Sequence, residues 1–360
     1  MRIHSIDYLR GAMALSILLY HFFSWSIGGQ SSDTVLGRLG IYGVSTFYVI
    51  SGMSMFIACR NYAWSPKETW SYLVKRFFRI APLFAIATLT TIVVLRFINP
   101  QYFPTLETLI SNLTLAFGFY NPTNYIVTGG WSIGNEMVFY FFLPMAVILF
   151  RSPAMAAWVL AGVLGLYAYY AFFVMSGAAS IAAAWSDYVH PANQGFLFLA
   201  GVTLGKLFID GYRLRTQSAA GILLLAIAAF CFYPATGNQI SIVSGFSRIA
   251  FTAMAIAAVY SVACLSINEA SIAHKVMAKL GEISYSIYML HGAIGLAALR
   301  LVAPKFGLTT ADEKFYLLML GALPLTLVAS LFVYTYIETP FVRLARRLTP
   351  RTKQAFPAAA

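Results

Sequence analysis

The chain is poor in charge, in cysteine and in acid, and each shortage excludes something. Charged residues make up 10% of its 360 residues against 60% hydrophobic ones, too little polar side chain to cover a water-soluble globule of that size. With a mean hydropathy of +0.75, the composition is that of an integral membrane protein. The three cysteines, Cys59, Cys231 and Cys264, sit in apolar segments without metal-ligand spacing, which argues against a disulfide framework or a zinc site. They read as small core residues, and no metal is expected. Twelve Asp and Glu stand against 24 Lys and Arg, a net charge of +12. In a soluble chain that excess suggests nucleic acid, but in a membrane protein it follows from cations gathering in cytoplasmic loops. No nucleic-acid partner is expected. Linkers, low-complexity tracts and repeats are also lacking, so one membrane domain is expected over 1–341, followed by a short basic cytoplasmic tail over 342–360. The first apolar run has no small-x-small cleavage site and carries Arg10 and His21, so it is expected to be retained rather than removed as a signal.

What the chain does have is long apolar runs. Segments of roughly 18 to 25 residues bounded by turn or charge signals give about ten spans, near 6–27, 41–60, 77–98, 132–150, 154–176, 192–209, 217–234, 247–266, 282–303 and 315–338. With the N-terminus inside, the inner segments collect Arg2, Arg60, Lys67, Lys75, Arg76, Arg79, Arg151, Lys206, Arg213, Arg215, Lys275, Lys279 and the tail cations, whereas the outer loops hold Arg38, Lys305 and Lys314. The expected fold is therefore all-α and polytopic, with both termini cytoplasmic.

The stretch from Ser5 to Trp25 is long enough to cross a bilayer yet keeps Arg10 and His21 within it, and ionisable groups there are costly enough to suggest function. Eleven positions turn a helix about 20° past three full turns, so the two side chains share a face roughly 16 Å apart along the axis. Asp7, three residues before Arg10, can pair with it. In the second span Ser45, Ser51, Gly52 and Ser54 stand among bulky residues, a pattern that favours close helix packing over a substrate role. Arg76 and Arg79, three apart at the inner surface beside Lys75, either meet anionic lipid headgroups or clamp a phosphate-bearing cytosolic ligand.

The outer segment from Asn99 to Gly130 is too long to be structureless, and Leu106, Leu109, Ile110, Leu113 and Phe117 recur at helical spacing. It predicts a short amphipathic helix at the outer interface. Ser132 and Glu136 share a face of the next span, and a carboxylate there is either dipole-favoured, ion-paired or functional. Ser284 and His291, seven apart, align with the imidazole about halfway across, as a satisfied structural donor or a substrate contact. Glu338 is expected to pair with one of the nearby arginines.

Taken together, IDYLRGAMALSILLYHF, FYVISG, RFFRIAP, WSIGNEMVFY, GEISYSIYMLHG and YIETPF, in that order between residues 5 and 341, resemble the landmarks of the membrane-bound acyltransferase family 3. That family includes O-acetyltransferases of bacterial surface polysaccharides. Arg10 and His21 match its arginine and histidine pattern, Arg76 and Arg79 its RxxR motif, and Trp131, Ser132 and Glu136 its WSLxxE-like stretch, from which Gly134 and Asn135 depart. The resemblance implies a multi-pass protein of the bacterial cytoplasmic (inner) membrane that moves acetyl from cytosolic acetyl-CoA, with no permanently bound cofactor, to a sugar hydroxyl of a surface polysaccharide or lipid-linked glycan. Beside the carbohydrate acceptor, its partners are membrane lipids. Some relatives carry an extracytoplasmic SGNH-type domain; this chain is expected to act without one of its own. Neutral imidazole suits removal of a hydroxyl proton near neutral pH, which makes His21 the expected general base, with Arg10 and Glu136 as further catalytic groups. Arg76, Arg79 and Lys75 would hold CoA, and Trp131, Ser132 and His291 would bind the acceptor. Hydropathy alone also leaves open a polytopic transporter or flippase that uses His21, Glu136 and His291 as a pathway.

Overall fold

A computed structural model describes residues 3–349. Every regular element among them is helical, as a chain must be if its backbone polar groups are to be satisfied within each segment in lipid. The helices are α1 (His4–Ser26), α2 (Val35–Cys59), α3 (Pro66–Ile98), α4 (Leu106–Thr114), α5 (Gly130–Leu149), α6 (Pro153–Val174), α7 (Trp185–Ile209), α8 (Thr216–Phe232), α9 (Gly245–Cys264), α10 (Ile272–Glu282), α11 (Ser284–Lys305) and α12 (Ala311–Leu348). Eight of them, α2, α3, α5, α6, α7, α9, α11 and α12, are long and apolar enough to cross a membrane. The two other expected spans are helical as well. With 23 residues α1 has the length, but Asp7, Arg10 and His21 dilute its hydropathy, and α8 is apolar but has 17 residues.

The expected boundaries shift where local chemistry starts a helix early. Ser65 caps α3 with Glu68 in a reciprocal box and Pro66 in the first turn, so the helix begins eleven residues before the predicted span and carries Lys75, Arg76 and Arg79 within its body. Thr310 and Glu313 do the same for α12, which runs on through the start of the predicted tail to Leu348. Tail residues Arg351 and Lys353, like Arg2, lie outside the described residues. The predicted ninth span corresponds to α11, and a break at Ile283 leaves only its first residue, Glu282, at the end of α10. Arg38, expected in an outer loop, is buried in the second turn of α2 and donates to the carbonyl oxygens of Ser32, Phe230, Cys231 and Tyr233 at 2.7–2.9 Å. It thus satisfies the orphan carbonyls that end α8.

At the centre, α2 and α7 meet backbone to backbone. A Cβ on Gly52 would lie 2.0 Å from the Phe198 carbonyl oxygen, and one on Gly201 2.1 Å from that of Val49, so this contact requires glycine on both helices. The packing expected of Gly52 is what the fold uses. The apolar stretch of α2 that holds it is 83% buried, against 11% for that of α6, which exposes Trp158 and Phe173. Apolar on all sides, α6 has the character of a lipid-facing span. The expected amphipathic helix appears as α4, with Leu106 and Ile110 exposed.

Candidate functional site

A cavity of about 340 Å³ lies among α1, α2, α3, α5 and α11. It gathers Arg10, Arg76, Arg79, Ser132 and Glu136, residues that sequence spacing placed on single helix faces, together with Ser51, Ser54, Tyr140, Ser284, Tyr285 and Tyr288. Glu136 Oε1 accepts from the Tyr140 hydroxyl and from Ser51 Oγ at 2.7 Å. Arg10 is held from two sides: Nη2 donates to Ser54 Oγ at 2.9 Å and Nη1 pairs with Asp7 Oδ1 at 3.4 Å. Ser51 and Ser54, which looked like packing residues, therefore serve the cavity wall. Their signal was a three-residue spacing that puts two hydroxyls on one face of an otherwise bulky helix.

The two arginines of the RxxR motif have different surroundings. Arg79 Nη1 pairs with Glu338 Oε2 at 2.5 Å, and Glu338, which is buried, also accepts from Ser286 Oγ. The expected partnership of Glu338 is thus with Arg79. A widened π-type turn over Tyr334–Glu338 delivers that carboxylate, a local distortion of the kind found at functional positions. Arg76 has no carboxylate partner among the described residues: Nη1 lies 3.2 Å from Met55 Sδ, the guanidinium stands 6.0 Å from the Tyr140 ring, and buried Nε has no hydrogen-bond partner. Lys75 is half-buried outside the cavity lining. Trp131 also lies behind that lining, edge-on to Tyr48, Trp185 and Tyr188.

The histidines form a separate centre. His291 Nε2 lies 3.0 Å from His21 Nδ1, and His291 Nδ1 lies 2.7 Å from the Tyr288 carbonyl oxygen. Trp25 stacks on both rings, with centroids at 5.2 Å from His21 and 6.3 Å from His291. His21 Nδ1 is thus met by His291, whereas Glu136 is engaged by Ser51 and Tyr140. The pair stands between two spaces. Along α11, Tyr288 borders the first cavity, whereas Gly292 borders a second one of about 410 Å³, lined also by Trp25, Thr128, Leu296, Leu299, Arg300 and Lys314.

Residues 3–335 match the family described as "Acyltransferase domain", the membrane-bound acyltransferase family 3. The chain belongs to that family. This acyltransferase is 24% identical over 324 residues to the exopolysaccharide production protein ExoZ of Rhizobium meliloti (strain 1021), covering 86% of this chain and 93% of that one. It is also 24% identical over 379 residues to the acyltransferase MdmB of Streptomyces mycarofaciens, covering 97% of this chain and 94% of its relative. No solved structure matches it. Membership turns the choice that hydropathy left open toward group transfer and away from transport.

Proposed function

We propose that the protein is an O-acetyltransferase of the cytoplasmic membrane that moves acetyl from cytosolic acetyl-CoA to a sugar hydroxyl of a surface polysaccharide or lipid-linked glycan. The observation that carries this reading is the imidazole pair standing between a guanidinium-lined cavity and a second cavity bordered by Trp25. The match to an exopolysaccharide production protein supports a carbohydrate acceptor.

The hydrogen bonds define which nitrogen can act. A carbonyl oxygen only accepts, so the proton of neutral His291 is on Nδ1, facing Tyr288. Its Nε2 then carries a lone pair and accepts from His21 Nδ1–H. That leaves the lone pair of His21 on Nε2, free to act as base. In the transfer, His21 Nε2 takes the proton of the attacking hydroxyl as its oxygen bonds to the thioester carbonyl carbon. The C–S bond then breaks and the proton passes to the leaving CoA thiolate, so His21 ends the cycle neutral. His291 is the positioning residue that fixes the tautomer.

Arg10 lies eleven residues from His21, roughly 16 Å along α1, too far to stabilise charge at the same reacting carbon. We assign it with Arg76 to the phosphates of CoA, since planar guanidinium forks match phosphate oxygens. The pantetheine arm would cover the remaining distance to the imidazoles. Arg79, already paired with Glu338, contributes its remaining donors. Glu136 offsets part of the guanidinium charge and, through Ser51 and Tyr140, fixes the wall facing the arm. Purified protein incubated with acetyl-labelled acetyl-CoA and glycan extracted from the source membranes tests the proposal. Label appearing in the glycan is expected. Glycan that crosses a vesicle membrane unlabelled, with acetyl-CoA untouched, would overturn it in favour of transport.

A further inference from the structure

The second cavity is not apolar throughout. Trp25, Leu296 and Leu299 form a wall suited to the C–H face of a sugar ring, while Arg300 and Lys314 bring two cations to it from different helices. Arg300 lies in a widened π-type turn of α11 (Ala298–Val302), and Lys314 lies just before another in α12 (Leu317–Ala322). Such turns re-aim side chains and recur at functional positions. The cations stand at the end where the charge bias of membrane proteins disfavours them. Arg38, at the same end, is occupied by backbone carbonyls, but neither Arg300 nor Lys314 has a carboxylate within ion-pair distance among the described residues. Glu313, beside Lys314, is turned to the backbone N–H groups of Thr309 and Thr310 at 2.8 and 2.9 Å.

We infer that this cavity is the acceptor subsite and that the acceptor is acidic: a sugar unit bearing a carboxylate or phosphate. Its ring lies on Trp25 and its anion between Arg300 and Lys314. The inference rests on the acetyl-transfer reading above and adds the substrate class. The indole stacks 5.2 Å from His21, so a ring seated on that wall is next to the proposed base. A guanidinium binds a carboxylate bidentately, and the ammonium adds a second charge without fixing its direction. About 410 Å³ falls within the range of small-molecule sites.

The test compares methyl glucuronide with methyl glucoside as acceptors for the full-length protein in phosphatidylcholine nanodiscs with acetyl-CoA. Wild-type kcat/KM should favour the glucuronide, and that preference should fall as salt rises. Arg300→Gln with Lys314→Gln should reduce the glucuronide-to-glucoside ratio about tenfold, while Arg300→Lys restores part of it. Acetyl-CoA binding by the double variant reports that it folds, and the wild-type salt titration needs no variant. Equal transfer to both probes by wild-type protein would overturn the acidic-acceptor inference and leave acetyl transfer standing. Stimulation by phosphatidylglycerol through these two cations, without discrimination between the probes, would assign them to lipid headgroups and also overturn it. No transfer to either probe or to extracted glycan would overturn the functional reading itself.

Discussion

The two cavities flank the part of α11 that carries His291, Tyr288 lining one and Gly292 the other, but they are built differently. In the first, most of the charge is embedded in a network: Asp7 and Ser54 hold Arg10, Glu338 holds Arg79, and Ser51 and Tyr140 hold Glu136, while Arg76 alone of its three arginines has no carboxylate partner among the described residues. In the second, Arg300 and Lys314 approach an apolar wall without carboxylate partners among the described residues. A preorganised network suits a constant ligand such as CoA, because its donors are already aimed before binding. An apolar wall with two unpaired cations suits an acceptor recognised by ring face and charge. On the proposed reading, fixed geometry is concentrated where the donor is constant, and acceptor choice rests on fewer groups.

The sharpest break in this comparison is expected at the imidazole pair. His21→Ala should lower acetyl transfer about 10²–10⁴-fold while acetyl-CoA still binds, as isothermal titration would report. His291→Leu should cost less, roughly tenfold to a hundredfold, because the base remains and only its tautomer is released. His291→Gln, whose side-chain oxygen lies about as far from Cγ as the imidazole Nε2 and can still accept from His21 Nδ1–H, should recover part of that loss. Equal kcat for the Leu and Gln variants would remove the tautomer argument.

Within the proposed donor cavity, the RxxR arginines should separate. Arg76→Ala should raise the KM for acetyl-CoA at least tenfold, since hydrogen bonds to charged groups are worth about 1.5–3 kcal/mol. Arg79→Ala should instead appear mainly in thermal unfolding, with a loss of about 3 kcal/mol, because it leaves Glu338 buried and unpaired. Identical KM shifts with no change in unfolding would contradict the division. At the contact between α2 and α7, away from the second cavity, Gly201→Ala should cost about 1–3 kcal/mol by forcing the two helices apart, with little change in discrimination between acidic and neutral acceptors.

Periodicity made the faces of helices legible but not their partners. It placed Asp7 with Arg10, Ser132 with Glu136, and Arg76 with Arg79, because residues three or four apart share a helix face. The meeting of His21 and His291 joins residues 270 apart in the chain, a distance that no local pattern encodes. Ser51 and Ser54 were ambiguous because small residues serve both tight packing and polar walls; here Gly52 takes the first task and the serines the second. Arg38 looked like a loop cation because composition does not show that five nearby backbone carbonyls lie within its reach. Trp131 lies in an aromatic cluster behind the cavity rather than on its surface, a difference of depth within one helix turn.

The central claim, that donor and acceptor reach one imidazole pair from opposite sides, is tested most directly in sealed proteoliposomes of known orientation, with acetyl-CoA and glycan supplied on chosen faces. Acetylated glycan should form when acetyl-CoA is on the side of Arg76 and Arg79 and glycan is on the other, and His21→Ala should abolish it. Transfer at the wild-type rate with both substrates confined to the same face would contradict the account.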